Sequence, residues 1–317
     1  MKSLLITRPL PDAVLEKARS TFQTTVRLNN MPMQSDELRD ALRNFDMVLP
    51  SLGDAFDAQV FADVGTPRCK LLANFGVGFN HIDVEAAAKA NVLVSNTPGA
   101  VTDATADVAM TLILMSARRA SEGERLVRSG QWKGWHPTQM LGLHVTGKTV
   151  GIAGMGRIGQ AIAQRCHYGF GMAVKYWNRS EKDLPYEAER VEDLAALAAQ
   201  VDVLVAAVPG GTDTRHLFNA EVFGAMQSHA HFINISRGEV VKESALVAAL
   251  QNNEIGGAGL DVYEFEPRVP DALRKLDNVT LLPHLGTAAL EIRTQMGLMA
   301  VDNLLAYEQG ETPPNLV

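Results

Sequence analysis

The sequence is poor in cysteine and in clustered positive charge. Its 317 residues include two cysteines, Cys69 and Cys166, which are far apart. Two distant thiols argue against a disulfide framework and against a cysteine-rich metal site, so no metal is expected. The formal net charge is −7 and no basic cluster occurs, which argues against nucleic acid or an anionic membrane surface as a partner.

Long apolar runs are also missing. The stretch TADVAMTLILMSA comes closest, but Asp107 interrupts it, and Arg118 and Arg119 end it. Near the N-terminus, Pro9 and Pro11 break an apolar run long before the hydrophobic region of a signal peptide would be complete. No segment is long enough to span a bilayer. We therefore expect a soluble, cytoplasmic protein with no membrane partner.

Short apolar runs alternate with helical patterns along nearly the whole chain. The candidate strands are SLLIT, FDMVLP, KLLANF, VLVSN, KTVGIAG, MAVKYWN, DVLVAAVP, HFINIS, GAGLDV and NVTLLP. Alternation of this kind predicts an α/β protein with two doubly wound parallel-sheet domains. Pro98 and Gly99 interrupt the pattern between two sets of strands. We assign residues 1–98 and 288–317 to one domain and residues 99–287 to the other.

A long helical region follows the interruption, starting at about residue 101. Its first half, to about residue 118, is apolar on all sides. A helix of this kind must be buried on all sides. We expect it to serve a domain junction and the interface of a homodimer.

The stretch GMGRIG, residues 154–159, follows a predicted strand and opens a helix. In a dinucleotide fingerprint, Gly154 allows the tight turn, Gly156 lets the pyrophosphate approach the helix N-terminus, and Gly159 lets the helix pack on the strand. A tight turn alone is the weaker interpretation, because a second strand follows on schedule. The expected cofactor contacts here are Gly154, Gly156, Arg157, Ile158 and Gly159.

The end of that second strand indicates which dinucleotide binds. An NAD-binding fold usually offers an Asp or Glu to the ribose about 20 residues past the loop, whereas this chain has Asn178, Arg179 and Ser180. Arg179 can grip a 2′-phosphate or stack on adenine, and its two neighbours can donate further hydrogen bonds. The inferred cofactor is NADPH, with NADH as a weaker alternative. Otherwise Arg179 is a solvated cation beside Glu181 and Lys182.

Three further segments, each after a predicted strand, contain residues typical of a catalytic site. They carry Arg237, Glu266 and His284, at the strand ends where open α/β sheets place their ligands. Alone, each has an ordinary explanation: a surface cation, a solvated acid and a structural histidine. Together, a cation, an acid and an imidazole beside a nicotinamide site supply what reduction of a 2-keto acid requires.

At these residues the sequence resembles the D-2-hydroxyacid dehydrogenases, and within them the glyoxylate/hydroxypyruvate reductases. The motifs that carry the resemblance are NFGVGFNHID (74–83), GMGRIG (154–159), NISRGEVV (234–241), DVYEFEP (261–267) and PHLGT (283–287). They occur in the family's order over essentially the whole chain. The resemblance implies a flavodoxin-like substrate-binding domain, residues 1–98 and 288–317, and a Rossmann NAD(P)-binding domain, residues 99–287.

The resemblance also implies roles for individual residues. Arg237 would hold the substrate carboxylate and polarise the keto oxygen. His284 would give a proton to that oxygen as hydride arrives from the nicotinamide, and Glu266 would bond the other ring nitrogen of His284. A neighbouring carboxylate favours the imidazolium form, which keeps the acid available. The backbone amides of Val77 and Gly78 would bind the carboxylate, although the residues alone are equally consistent with a plain tight turn.

Further cofactor contacts are implied beyond the glycine loop. They are Val208, Pro209, Thr214, Ile235, Ser236, Arg237, Asp261, His284 and Gly286. Asp261 would lie near the nicotinamide amide. The chain departs from the family at Asn80, where Asp is frequent, and at Asp107, where Glu is frequent. Neither position belongs to the catalytic set, so both bear on fine substrate choice.

Trp132 and Trp135 have two explanations of equal weight. In similar reductases an aromatic residue of this segment reaches the active site of the neighbouring subunit. The other explanation is packing in a subunit interface without contact to substrate.

Three functions remain open, and an NADPH-preferring reductase of small 2-keto acids, with glyoxylate and hydroxypyruvate first, leads. The second is a dehydrogenase of the same fold acting on a larger 2-keto acid, phosphoglycerate or phosphite. The third is a nucleotide-sensing binding module like the transcriptional co-repressors of this fold. Those co-repressors also keep an Arg–Glu–His set, so turnover of a small keto acid is the property that separates the enzyme from the module.

Overall fold

The computed structural model describes residues 1–317 and divides the chain into two compact units. The first unit contains Met1–Val101 and Ala288–Val317, and the second contains Thr102–Thr287. Each unit has its own parallel sheet, which confirms the predicted class of two parallel-sheet α/β domains. The assignment of substrate to the first unit and cofactor to the second stays a prediction.

Twelve strands and twelve α-helices build the two units. The strands are β1 (Ser3–Ile6), β2 (Gln23–Val26), β3 (Met47–Leu49), β4 (Leu71–Ala73), β5 (Leu93–Ser95), β6 (Thr149–Ala153), β7 (Ala173–Trp177), β8 (Ala188–Arg190), β9 (Val203–Ala206), β10 (His231–Asn234), β11 (Gly257–Leu260) and β12 (Val279–Leu281). The α-helices are α1 (Asp12–Thr21), α2 (Ser35–Asn44), α3 (Ala58–Val64), α4 (Val84–Lys89), α5 (Thr102–Ala117), α6 (Ala120–Arg128), α7 (Arg157–Gln164), α8 (Leu194–Ala198), α9 (Ala220–Ala225), α10 (Glu243–Gln251), α11 (Asp271–Arg274) and α12 (Leu290–Glu308). Single turns of other helix types occupy Arg165–Gly169, Thr212–Thr214 and Gly238–Val240.

In each sheet, the direction in which the chain adds successive strands reverses once. The first sheet has the order β2-β1-β3-β4-β5, and the second has the order β12-β11-β10-β9-β6-β7-β8, with every pair parallel. In the second sheet the chain moves outward from β6 to β8 and then returns to place β9 on the other side of β6. Ligands of open α/β sheets bind at the carboxyl ends of strands beside such a reversal.

The core of the second unit covers both faces of its sheet. Strands β9 and β10 are buried at every position, as expected of a central parallel strand. On one face, the Phe232 ring lies 5.1 Å from the Phe218 ring and 5.2 Å from the Phe223 ring, between centroids. On the other face, Leu112 and Ile113 of α5 belong to the apolar cluster that covers the sheet.

The long helical region forms two helices rather than one. Arg119, between α5 and α6, adopts φ +54° and interrupts the helix. Within one chain, α5 exposes one stripe, where Asp103, Asp107 and Thr111 lie at four-residue spacing. Arg165 forms hydrogen bonds with both of these acids. Burial of α5 on all sides, which the prediction assigned in part to a subunit interface, stays a prediction. The homodimer stays a prediction.

Three further features concern membrane-spanning helices, the two cysteines and possible metal ligands. No helix is both long and apolar enough to cross a membrane. Cys69 and Cys166 are buried thiols outside any disulfide, and burial raises the pKa of each to about 12. No group of three or more His, Cys, Asp or Glu side chains lies together in a way that could hold a metal ion.

A buried histidine at the start of β10 makes the stability of the second unit depend on pH. His231 is 6% exposed, and its Nδ1 lies 2.8 Å from the Ser116 hydroxyl. Burial, and to a smaller degree the charge of His229, lowers the pKa of His231 to about 4. A histidine that folds neutral stabilises the fold fully above its unfolded pKa, and this contribution is lost as pH falls toward the folded pKa.

We therefore expect the wild type to lose about 3 kcal/mol of unfolding free energy between about pH 6.5 and pH 4 through this group. His231→Asn keeps a polar group near Ser116 but does not titrate, so it lacks this loss. Urea denaturation of both proteins at several pH values measures the difference. Parallel pH profiles for the two proteins would contradict the assignment.

Candidate active site

The glycine loop connects β6 directly to α7. Gly154 has φ +101°, and a Cβ there would lie 2.6 Å from the carbonyl oxygen of Ala207. A Cβ on Gly159 would lie 2.1 Å from the carbonyl oxygen of Gly154, whereas a Cβ on Gly156 would meet nothing within 4 Å. Two glycines therefore allow close packing of the loop. The third leaves open space at the N-terminus of α7, which fits a dinucleotide pyrophosphate.

The loop after β7 exposes Arg179 and Ser180. The Arg179 side chain makes no hydrogen bond or ion pair within the chain. Asn178, by contrast, is used inside the loop, since its Oδ1 accepts from the Met155 N–H at 3.1 Å and its Nδ2 donates to the Ser180 carbonyl at 2.7 Å. Donation from Asn178 to a phosphate would therefore compete with bonds that shape the loop, and Arg179 is the better phosphate ligand.

The remaining predicted cofactor contacts all follow the carboxyl ends of other strands of the same sheet. Val208, Pro209 and Thr214 follow β9; Ile235, Ser236 and Arg237 follow β10; Asp261 follows β11; and His284 and Gly286 follow β12. Because all these strands are parallel, the residues lie along the same edge as the glycine loop. The edge beside the reversal at β6 and β9 thus contains every residue predicted from the sequence for cofactor binding.

His284 and Glu266 form a hydrogen-bonded pair on this edge. The His284 Nδ1 lies 2.9 Å from one Glu266 carboxylate oxygen, and the Tyr263 N–H donates to the other at 3.1 Å. Burial by itself raises the pKa of Glu266, but His284, the Tyr263 N–H and the Arg237 charge together lower it below its ordinary value. Glu266 is therefore ionised near neutral pH and accepts the Nδ1 proton, which leaves Nε2 as the His284 atom available to a substrate.

Arg237 is the cation of the same edge. Burial lowers the pKa of its guanidinium, and the charges of Glu266 and Glu239 oppose that effect. An arginine side chain keeps its charge in proteins, so the pair of Glu266 and His284 lies in a positive field. A partly buried guanidinium of this kind can bind a carboxylate through two N–H groups and polarise a carbonyl oxygen.

Asp261 supports the turn that carries His284. It is 1% exposed, and its carboxylate accepts from the N–H groups of Leu285 at 2.6 Å and Gly286 at 2.8 Å. Its carbonyl accepts from the His284 N–H at 2.9 Å. His284 adopts φ +55°, a conformation that non-glycine residues keep only where the surroundings hold it. The sequence indicated Asp261 for the cofactor but not this structural role.

Gly238 sets the distance between the Arg237 turn and the Glu266 loop. A Cβ at this position would lie 1.8 Å from the carbonyl oxygen of Tyr263 and 2.4 Å from the Glu264 nitrogen. Only glycine permits this approach of two backbones. Gly238 was not among the predicted site residues, and its position directly after the candidate arginine was the available signal.

The predicted carboxylate-binding loop lies in the first unit, after β4. The N–H groups of Val77 and Gly78 donate no hydrogen bond within the chain, so both are available as donors. Two such amides could bind an anion, and the carboxylate site stays a prediction.

Comparisons with known proteins place this geometry in a family. The NAD binding domain of the D-isomer specific 2-hydroxyacid dehydrogenases matches residues 110–286. A glyoxylate reductase of Pyrococcus horikoshii is 41% identical, over 99% of this chain and 95% of that protein. The chain belongs to the D-isomer specific 2-hydroxyacid dehydrogenase family. As a member of it, the protein is an NAD(P)-dependent oxidoreductase, and the predicted family is confirmed.

Solved structures agree with this membership. A D-isomer specific 2-hydroxyacid dehydrogenase from Polaromonas aligns with a TM-score of 0.93 at 34% identity, covering 100% of this chain and 99% of that chain. An NADPH-dependent glyoxylate/hydroxypyruvate reductase from Sinorhizobium meliloti, in complex with NADP and malonate, aligns with a TM-score of 0.87 at 34% identity and covers 100% and 96% of the two chains. The family fold thus extends over the whole chain.

Trp132 and Trp135 lie in an irregular segment after α6 and are 51% and 79% exposed. Helix α6 itself buries none of its residues. This exposure is consistent with both explanations given above, and a role for either tryptophan at a neighbouring active site stays a prediction.

The close approach at Gly238 leads to a test. Gly238→Ala forces the Arg237 turn away from the Tyr263–Glu264 backbone, and a displacement of about 1 Å at a catalytic group lowers kcat/KM about a hundredfold. Gly224→Ala is the matched control, because Gly224 lies in α9 and a Cβ there meets nothing within 4 Å. Initial rates and melting temperatures of both variants measure the effects. Full activity in Gly238→Ala would contradict the inferred role.

Proposed function

We propose that the protein reduces small 2-keto acids, glyoxylate and hydroxypyruvate first, with NADPH as the preferred cofactor. The observation that carries the proposal is the His284–Glu266 pair, which shares one sheet edge with Arg237 and the glycine loop. The relatives support the substrate class, since the Pyrococcus horikoshii protein is a glyoxylate reductase and the Sinorhizobium meliloti protein a glyoxylate/hydroxypyruvate reductase.

The chemistry divides between the bound cofactor and the side chains of the chain. The reduced nicotinamide supplies a hydride to the keto carbon when it is bound. As the C=O double bond becomes a single bond, His284 gives the proton on Nε2 to the keto oxygen. Hydride and proton together convert the 2-keto acid to the 2-hydroxy acid. The Nδ1 proton of His284 stays on the ring and donates to Glu266, whose negative charge stabilises the imidazolium before proton transfer.

Arg237 and the loop after β4 are proposed to bind the substrate. The Arg237 guanidinium holds the carboxylate and polarises the keto oxygen, which stabilises the negative charge that develops there. The N–H groups of Val77 and Gly78, in the first unit, are proposed as donors to a substrate carboxylate. Both amides lack a partner within the chain, which supports this assignment.

His284 tests the mechanism. His284→Ala removes the proton donor, and we expect the rate of glyoxylate reduction to fall by about 10²- to 10⁴-fold. The dissociation constant of NADPH, measured by fluorescence titration, stays within about threefold, because the glycine loop is untouched. His229→Ala is the control, since His229 precedes β10 at the opposite edge of the sheet and pairs with Asp202. A His284→Ala enzyme with near-normal rates would overturn the mechanism.

Cofactor choice rests on Arg179 and Ser180, which are exposed at the end of β7 with no acid beside the ribose position. We expect wild-type initial rates with glyoxylate and hydroxypyruvate to be higher with NADPH than with NADH. Arg179→Ala removes the cation that faces the 2′-phosphate, so KM for NADPH rises at least about tenfold and KM for NADH changes less than about twofold.

Lys182→Ala serves as the control for this substitution, because it removes a neighbouring half-buried cation and leaves Arg179 in place. Equal effects of Arg179→Ala on both cofactors would make Arg179 a surface residue. Binding of cofactor without turnover of any 2-keto acid would favour the nucleotide-sensing module over the enzyme.

A further inference from the structure

Two asparagines hold the carbonyl groups of the loop after β4. The Asn74 Nδ2 donates to the carbonyl oxygens of Gly76 at 3.0 Å and Gly78 at 3.1 Å. The Asn96 Nδ2 donates to the carbonyl oxygen of Val77 at 2.9 Å. Three consecutive carbonyls of this loop are therefore each bound by a side-chain amide.

The Asn74 side chain has one possible orientation. It is fully buried, and its Oδ1 lies 3.0 Å from the Nε2 of His81. The Gly76 carbonyl also accepts from the Thr97 N–H at 3.1 Å. Since Asn74 donates to both loop carbonyls through its nitrogen, its oxygen faces His81, so His81 donates from Nε2. Both the nitrogen and the oxygen of the Asn74 amide are thus used in hydrogen bonds.

A hydrogen bond that fixes the orientation of a carbonyl group also fixes the direction of the next N–H group. The peptide unit is planar and trans, so the C=O of one residue and the N–H of the next point in opposite directions. The bonds from Asn74 and from the Thr97 N–H to the Gly76 carbonyl together therefore orient the Val77 N–H. The bond from Asn96 to the Val77 carbonyl orients the Gly78 N–H in the same way. Neither of these two N–H groups has a partner within the chain.

We propose that Asn74 is a positioning residue for recognition of the substrate carboxylate, with Asn96 as its partner in the same task. Asn74 does not touch the substrate. It holds the loop so that two backbone N–H groups are directed together at one anion before substrate arrives. This inference rests on the proposed function, and it adds the residue on which affinity for the carboxylate group of a 2-keto acid depends.

Asn74→Asp tests the inference, because aspartate keeps the size of the side chain and the oxygen that faces His81 but has no donor for the two carbonyls. We expect KM for glyoxylate to rise at least about tenfold. The expected kcat stays within about threefold of wild type, since Arg237, Glu266 and His284 belong to the second unit. The dissociation constant of NADPH, measured by fluorescence titration, is unchanged.

Two further variants complete the design. Asn29→Asp introduces the same change of charge at an exposed position of the first unit, and its KM stays at the wild-type value. Asn96→Ser removes one donor from a half-buried site and raises KM for glyoxylate a few-fold with kcat unchanged. It keeps the inference testable if Asn74→Asp fails to fold.

The outcomes separate the possibilities. A purely structural role for Asn74 would lower the melting temperature and the amount of active enzyme, so that kcat falls while KM stays constant, and this result overturns the inference alone. An unchanged KM for glyoxylate in both Asn74→Asp and Asn96→Ser also overturns the inference alone. If the wild type reduces a larger 2-keto acid rather than glyoxylate, that acid replaces glyoxylate in all assays. A wild type that reduces no 2-keto acid overturns the proposed function, and the inference with it.

Discussion

The reversal of strand order between β6 and β9 is the constraint on which the rest of the site depends. Because all strands of this sheet are parallel, its connecting helices must lie on the two faces, and the carboxyl ends of the strands remain open. The loops after β6, β9, β10, β11 and β12 then share one edge. Glycines at 154, 159 and 238 allow backbones to approach there more closely than any side chain would permit.

Polar side chains on this edge act mostly on the backbone rather than on each other. Asp261 accepts from two N–H groups of the turn that carries His284, and Glu266 accepts from the Tyr263 N–H as well as from His284. Each such bond satisfies a group whose burial would otherwise be costly. The catalytic side chains are thereby held before a ligand binds, which is the condition for efficient proton transfer.

Local patterns in the sequence predicted the fold class and the three catalytic candidates. All ten candidate strands correspond to strands of the structure, whereas the edge strands β2 and β8, which have little buried surface, were missed. The polar stripe that Asp103, Asp107 and Thr111 form on α5 was missed, because the apolar residues between these three obscured it. The supporting roles of Asp261 and Asn74 could not be predicted, since both bond to backbone groups, which leave no signature in the sequence.

The residues proposed for cofactor preference and those proposed for catalysis are physically separate in this arrangement. The backbone of the loop after β7 is fixed by side chains other than Arg179, since the Arg190 guanidinium donates to the Asn178 carbonyl at 3.2 Å and the Asn178 amide bonds to Met155. The exposed Arg179 side chain can therefore change without moving the glycine loop. His284, by contrast, depends on bonds that reach β11 through Asp261. With the proposed roles, a change in the preferred dinucleotide requires a change of one exposed side chain, whereas a change in the reaction requires rebuilding an edge shared by several strands.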